Sequence, residues 1–208
     1  MSEAAAAHAD PNVHGAVADQ HEPSLTPDTS GKLGMWAFLA GDAMTFGAGI
    51  AAYGALRWQN VNWPDPADWL GITTTAVMTF ILICSSVTMV EALSSIQRGD
   101  QGKFRLWMFG TMIGGLAFLV MQAFEWHHLI WGEDLSIKTS LFSATFFILT
   151  GFHGLHVTGG VIYNTTLWIR NLTGKLPQNK AYLVEIAGLY WHFVDLVWIL
   201  IFTFVYLI

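Results

Sequence analysis

Five ionisable side chains lie deep inside long apolar stretches of the sequence. They are Asp42, His153, His156, His192 and Asp195. A charged side chain at the centre of a membrane-spanning helix costs about 2.5–3.5 kcal/mol, whereas a leucine or isoleucine returns only about 0.3–0.6 kcal/mol. Carboxylates and imidazoles in such places hold protons or bind metals. We therefore expect these side chains to face one another or a partner protein rather than lipid.

The spacing of these residues permits four kinds of site. A bis-histidine haem would take His192 with His153 or His156, because it needs one imidazole from each of two facing helices. A non-haem metal site would add Asp42 or Asp195 to the same histidines. The same residues could instead form a proton relay, or an interhelical hydrogen-bond network that locks the helices together. Spacing alone leaves these alternatives open.

The composition is that of an integral membrane protein. Of the 208 residues, 53% are hydrophobic and 12% are charged, and the mean hydropathy is +0.46. Soluble domains carry about 25% charged residues, so this chain is neither a soluble enzyme nor a nucleic-acid-binding protein. Its net charge of −6 also argues against polyanionic partners. The single cysteine, Cys84, excludes an internal disulfide and any cysteine-rich metal site.

The apolar stretches predict an all-α, polytopic membrane protein built as a bundle of five transmembrane helices. Each stretch reaches the length of about 20 residues that a spanning helix needs, and the short polar loops between them join antiparallel neighbours. Residues 1–31 have no Lys or Arg before Lys32 and no apolar period, so we predict a disordered cytoplasmic tail there. The membrane domain is predicted over residues 32–208, with spans at about 34–56, 71–93, 106–126, 141–169 and 186–208.

The distribution of Lys and Arg predicts the orientation. Seven of these residues lie on the side of the tail and two on the opposite side, which places the N-terminus in the cytoplasm and the C-terminus in the periplasm. Charges at the inner rim could gather protons or anionic lipid headgroups, or could simply set the topology. A polar stripe near the outer end of the third span lies within two turns of the interface, and we expect it to reach water. The rim comprises Glu91, Arg98, Lys103, Arg105 and Glu185, and the stripe comprises Gln122, Glu125, His127 and His128.

Two long motifs carry a resemblance to a known family. Residues 146–157 (FFILTGFHGLHV) and 190–198 (YWHFVDLVW) resemble subunit III of haem-copper terminal oxidases. So do residues 34–39 (GMWAFL) and 125–130 (EWHHLI), and Glu185 stands where the family usually has an acid. The likeness covers Lys32 to Ile208, and the chain is similar to the five-helix form of the family.

The resemblance implies an accessory subunit of an aerobic respiratory oxidase in the bacterial cytoplasmic membrane. Such a chain carries no catalytic residue, haem, copper or other metal of its own. It packs mainly against catalytic subunit I, which reduces O2 to water and pumps protons, in a complex with subunit II and in some cases subunit IV. It helps to sustain proton uptake and holds phospholipids, and it binds no nucleic acid. Membership of a larger respiratory supercomplex stays open.

One position departs from the mitochondrial-type pattern. Those members have a glutamate after a serine in this helix, whereas this chain has Gly41 followed by Asp42. Aspartate here resembles the quinol-oxidase branch, while the motif that begins at Tyr190 resembles the cytochrome c branch. The electron donor therefore stays open. The alternatives are an accessory subunit of a quinol oxidase or nitric oxide reductase, and a free-standing membrane haem protein.

Overall fold

A computed structural model describes residues 27–61 and 63–208, and these residues form helices and no strands. Five of the helices are long and apolar enough to cross a membrane, which confirms the predicted all-α bundle. In chain order the helices are α1 (Pro27–Gln59), α2 (Pro66–Trp69), α3 (Ile72–Gln97), α4 (Gln101–Trp131), α5 (Leu141–Leu172) and α6 (Ala181–Ile201). A 3₁₀ turn (Gln178–Lys180) precedes α6, and a π-helical turn (Phe202–Leu207) follows it.

The helices extend past most of the predicted spans. The predicted tail over residues 1–31 lies largely outside the described residues, but α1 already begins at Pro27. The loop predicted between the second and third spans shrinks to residues 98–100, because polar residues continue both helices beyond their apolar parts. Within the first predicted loop, residues 66–69 form the short helix α2.

Glycines end two of the spanning helices by the same motif. Gly99 (φ 79°) follows α3 and Gly174 (φ 70°) follows α5, and each occupies the left-handed region that glycine adopts without steric cost. The N–H of Asp100 then donates to Ser95 O, and the N–H of Lys175 donates to Arg170 O. These bonds satisfy carbonyls that a helix end would otherwise leave unpaired. They reverse the chain within a few residues and set the spacing of neighbouring helices.

The buried tryptophans of α6 and the glycines of α4 and α5 form the centre of the bundle. Trp191 is 1% exposed and lies between Gly115 and Gly160. A Cβ atom at Gly115 would lie 2.5 Å from the indole ring, and one at Gly160 would lie 2.8 Å from it. Gly114 faces Ser85 of α3 equally closely, since a Cβ atom at this glycine would lie 2.6 Å from the serine Cβ. Small residues thus allow the close approach that membrane helices use for packing.

Of the five spanning helices, α1 has the smallest part of its apolar stretch buried against the rest of the chain. Only 11% of its apolar stretch is buried in the chain, against 33–44% for the other four helices. It packs on α5 and α6, so its remaining surface is open to lipid or to another subunit. The Lys32 ammonium forms an ion pair with Glu185, which ties the first turns of α1 to the start of α6.

Candidate proton-handling site

Asp42 of α1 and His156 of α5 form an ion pair between two spanning helices. Oδ2 of Asp42 lies 3.0 Å from Nε2 of His156, and both side chains are nearly buried, at 13% and 12% exposure. The other ring nitrogen of His156, Nδ1, lies 2.7 Å from the backbone oxygen of Phe152. The ring of Phe46 packs 5.1 Å from the imidazole, centroid to centroid, and covers the pair.

The contacts of His156 limit where its hydrogens lie. A carbonyl oxygen only accepts, so the contact with Phe152 requires a hydrogen on Nδ1. The other nitrogen, Nε2, lies 3.0 Å from Asp42 Oδ2, although Oδ2 has no hydrogen bond of regular geometry among the described residues. When one hydrogen lies between these two atoms, the pair is either a neutral acid beside a neutral imidazole or a carboxylate beside an imidazolium. In both of these forms it holds one exchangeable proton and has no net charge.

His153 makes a different contact one turn away on α5. Its Nε2 lies 3.1 Å from the backbone oxygen of Val194 on α6, so Nε2 carries the hydrogen. Its Nδ1 is buried and has no hydrogen-bond partner among the described residues. The ring packs against Trp198 at 4.9 Å and Phe118 at 5.5 Å. This histidine links α5 to α6 inside an aromatic shell.

Asp195 and His192 of α6 face different neighbours. Asp195 Oδ2 accepts a hydrogen bond of 2.8 Å from the hydroxyl of Ser86 on α3, and its Oδ1 is buried without a partner in the described part of the chain. His192 lines a groove between α6 and α1, beside Trp36 and Leu39. No ion pair within 4.0 Å joins these two residues in the described structure.

The contacts of the five buried ionisable residues do not join them into a single network among the described residues. Asp42 pairs with His156, whereas His153 and Asp195 each bind a separate partner, and His192 binds none of the other four. Residues three apart on a helix point about 60° apart, since each residue turns the helix by about 100°. Because α5 and α6 have neighbours on several sides, this difference is enough to direct each side chain to a different helix.

Charges of the inner rim pair with close neighbours. Arg98 lies 4.0 Å from Glu91, and the Lys103 ammonium lies 3.3 Å from Asp100. Asp100 also caps α4, because its Oδ1 accepts a 3.0 Å hydrogen bond from the backbone N–H of Lys103. That backbone hydrogen bond lowers the pKa of Asp100 below its usual value of 3.8. These contacts are exposed, so they contribute mainly to the local conformation of the turn.

The other two rim residues act as ties between helices. Arg105 Nε donates a 2.7 Å hydrogen bond to Asn171 at the end of α5, and Asn171 in turn donates to Gln101 at the start of α4. Glu185 pairs with Lys32 rather than with the rest of the rim. The predicted rim is therefore two separate groups, one on the α3–α5 side and one on the α1–α6 side.

The expectation that the outer polar stripe reaches water is wrong for two of its members. Gln122 is 6% exposed, and its Nε2 donates a 2.8 Å hydrogen bond to Thr150 O. The carboxylate of Glu125 accepts hydrogen bonds of 3.0 Å from Thr75 and from Tyr206. The start of α3 and the π-helical turn after α6 supply the partners of Glu125, whereas α5 supplies that of Gln122, and nothing in the local sequence of α4 indicates these contacts.

The two histidines of the stripe agree with the expectation. His127 and His128 are exposed at the surface of the chain. His127 stacks on Trp131 at 6.2 Å, and His128 lines a cavity of about 320 Å³ beside Glu125. Aromatic and imidazole rings are common at this level of a membrane, where one edge can meet water.

Comparison with known proteins decides the family. A family model described as cytochrome c oxidase subunit III matches residues 21–208. The cytochrome c oxidase subunit 3 of Alkalihalophilus pseudofirmus is 35% identical over 175 residues, which cover 84% of this chain and 85% of the relative. That of Bacillus subtilis is 36% identical over 175 residues, which cover 84% of both chains. The chain belongs to the cytochrome c oxidase subunit III family. The resemblance found in the sequence motifs is thereby confirmed, and with five apolar helices the chain is a multi-pass membrane protein of a terminal oxidase family.

Several residues of this subunit III chain that hold the site together carried no usable signal in the sequence. Ser86, Thr75, Tyr206 and Asn171 each bind one of the predicted site residues. Serine and threonine are common in spanning helices, where most bond to their own backbone. Their role as partners depends on which helices are neighbours, and this was the missing information.

A metal centre finds little support in the donor set of this subunit III chain. In the part of the chain that the structure describes, no three His, Cys, Asp or Glu side chains gather as a candidate metal site. Both ring nitrogens of His156 are engaged, and Nε2 of His153 is engaged with Val194. His156 therefore does not fit as a haem ligand without breaking the contacts that orient it, and the unpaired Nδ1 of His153 belongs to a ring that packs against Trp198 and Phe118.

Proposed function

We propose that this chain is a non-redox accessory subunit of a cytochrome c oxidase that sustains proton uptake by catalytic subunit I. The Asp42–His156 pair carries the proposal, because it holds one exchangeable proton deep in the membrane on the least covered helix, α1. A pair that moves its proton between a carboxyl and an imidazole keeps zero net charge. Release of this proton to subunit I leaves a net charge of −1 on the pair, and uptake of another proton restores neutrality, so the pair serves as a proton donor that is refilled.

The redox centres in this proposal belong to other subunits. Haem and copper lie in the partner subunits, and this chain supplies none of their ligands. The contacts of both ring nitrogens of His156, and of Nε2 of His153, support this assignment. The relatives named as cytochrome c oxidase subunit 3 favour cytochrome c over a quinol as the electron donor of the complex.

The rest of the buried polar set has a structural role in the proposal. His153 ties α5 to α6, and Asp195 ties α6 to α3 through Ser86. Together they hold α5 in the position that presents His156 to Asp42. They stabilise the bundle by hydrogen bonds, each of which is worth about 0.6 kcal/mol on average inside membranes.

The membrane placement follows the charge distribution. The inner rim on Arg98, Lys103 and Arg105 faces the cytoplasm, with the N-terminus on the same side and the C-terminus in the periplasm. Lysine and arginine at this level attract anionic phospholipid headgroups. We assign the chain to the bacterial inner membrane, with subunit I as its main contact and subunits II and IV in the same complex.

Removal of this chain from the purified complex tests the assignment. A mild detergent treatment that releases the chain should leave all haem and copper with the remaining subunits, measured by the optical spectrum and by metal analysis. The remaining complex should turn over at first but inactivate after fewer cycles than the intact complex. A Soret band that follows the released chain, or an unchanged number of cycles, would refute the proposal.

A further inference from the structure

Of the five ionisable residues deep in the spans, His192 is the one that forms no hydrogen bond or ion pair with the described part of the chain. It lies midway along the 30-residue span Gln178–Leu207 and is only partly buried. It has no hydrogen bond and no ion pair within 4.0 Å among the described residues, although the carboxyl group of Asp195, three residues along α6, interacts with it electrostatically. Its side chain lines a groove of about 400 Å³ between α1 and α6, which we call the α1–α6 groove. The groove is lined by Trp36, Ala40, Ala43, His192, Phe193 and Leu196, among others.

The other four ionisable residues show that a side chain of this kind, deep in the membrane, has a polar partner. Asp42, His156, His153 and Asp195 each have a polar contact within the chain. An imidazole facing acyl chains would leave its N–H and its ring acceptor unpaired, because hydrocarbon offers neither donor nor acceptor. Polar residues in spanning helices accordingly face protein or a water-filled cavity. The imidazole of His192 therefore needs a hydrogen-bond partner that the described residues do not supply.

The depth of His192 argues for a protein partner. At the middle of a hydrocarbon core about 30 Å thick, each headgroup layer is about 15 Å away. A phospholipid in the groove would place only acyl chain beside the imidazole. A spanning helix of another subunit can bring a hydroxyl, amide or carboxyl side chain to this depth.

The neighbouring surface is shaped for close helix contact. Ala40 and Ala43 are exposed on α1 and form a wall of small side chains, which allow another backbone to approach closely. Trp36 is 55% exposed at the same face, so a large aromatic side chain is also available for contact. We propose that the α1–α6 groove seats a membrane-spanning helix of another oxidase subunit, and that a polar side chain of that helix hydrogen-bonds to His192.

This inference rests on the proposed function in one respect, that the partner helix belongs to the same oxidase complex. Asp42 is not part of the contact, because its side chain faces α5 rather than the groove. A failure of the groove proposal would therefore leave the proposed role of the Asp42–His156 pair, and its test by turnover of the complex, unaffected. A failure of the turnover test would likewise leave the helix contact in place.

Cross-linking in the intact complex tests the occupant. A photoreactive benzoylphenylalanine in place of Phe193, whose ring already lines the groove beside His192, should attach to a spanning segment of another oxidase subunit when it is activated in native membranes. Mass spectrometry of the cross-linked peptide should place a Ser, Thr, Asn, Gln, Asp or Glu within one turn of the attachment point. Attachment to phospholipid alone, or to a segment with no polar residue there, would overturn the proposal.

Substitutions in the groove provide the second measurement. His192→Phe keeps the ring volume but removes the hydrogen bond, and it should weaken retention of this chain in the complex about threefold, as expected for one interhelical hydrogen bond. Ala43→Trp should displace the helix and weaken retention further. Ala76→Trp is the matched control, since Ala76 is exposed on α3 away from the groove. Retention is measured as the fraction that co-purifies at rising detergent concentration, and equal retention for Ala43→Trp and the control would contradict the groove contact.

Discussion

Replacement of Asp42 by asparagine removes the carboxyl proton of the Asp42–His156 pair but keeps the contact between the two side chains. The asparagine amide can donate to Nε2 of a neutral His156, so the contact between α1 and α5 is kept. The carboxyl proton and the counter-charge for an imidazolium are both lost. We therefore expect Asp42→Asn to assemble normally while it disables the proton-holding function.

The distance in the pair sets the size of the effect. Two unit charges 3.0 Å apart attract by about 5.5 kcal/mol at an effective dielectric constant of about 20. Burial of the two charges opposes most of this attraction, so the net effect is much smaller. We expect the number of turnovers before inactivation to fall by about tenfold in Asp42→Asn, which corresponds to about 1.4 kcal/mol.

The assay counts catalytic cycles of the purified complex under continuous turnover, with oxygen consumption and proton uptake recorded together. Asp195→Asn is the matched control, because it makes the same chemical change on α6 where the acid binds Ser86 rather than an imidazole. It should keep the wild-type number of turnovers. If assembled Asp42→Asn shows the same turnover number and proton-uptake rate as wild type, the pair does not support proton uptake.

Two further predictions concern the fold. Gly115→Ala should destabilise the chain by about 1–3 kcal/mol through overpacking, because its Cβ would lie 2.5 Å from the Trp191 ring. Gly110→Ala, whose Cβ would make an ordinary 3.6 Å contact with Thr88, is the control, and equal thermal unfolding of both variants would contradict this packing. The carboxylate of Asp100 has a lowered pKa in the fold, so its stabilising contribution is present above pH 3.8 and is lost as the pH falls through the lower folded value. The difference in melting temperature between wild type and Asp100→Ala should therefore shrink on acidification, and a difference independent of pH would show that the cap does not depend on charge.

Much of the fold could be predicted because the membrane imposes it on the sequence. Apolar length determines the spans, although α3 and α5 continue past the predicted ends at about residues 93 and 169 to Gln97 and Leu172. The cost of burying Asp42 and His156 in hydrocarbon identified them as site residues before any contact was known. The two motifs around these helices were sufficient to indicate the family.

Helix ends and interfacial contacts were harder to predict. The water-facing interpretation of Gln122 and Glu125 used only their distance from the end of α4. The contacts of Glu125 come from Thr75 at the start of α3 and Tyr206 at the far end of the chain. Sequence separation hides such contacts, since they depend on how the helices are arranged around one another.

The sequence by itself determined which residues had to be sheltered from lipid, because the energetic cost of a buried charge depends on residue type and depth alone. Only the tertiary structure decided which partner each received. Asp42 met His156, and Asp195 met Ser86, while His192 was left facing a groove. Side chains three residues apart on one helix point in directions that differ by only about 60°. Once the helices pack, this difference directs them to different neighbouring helices.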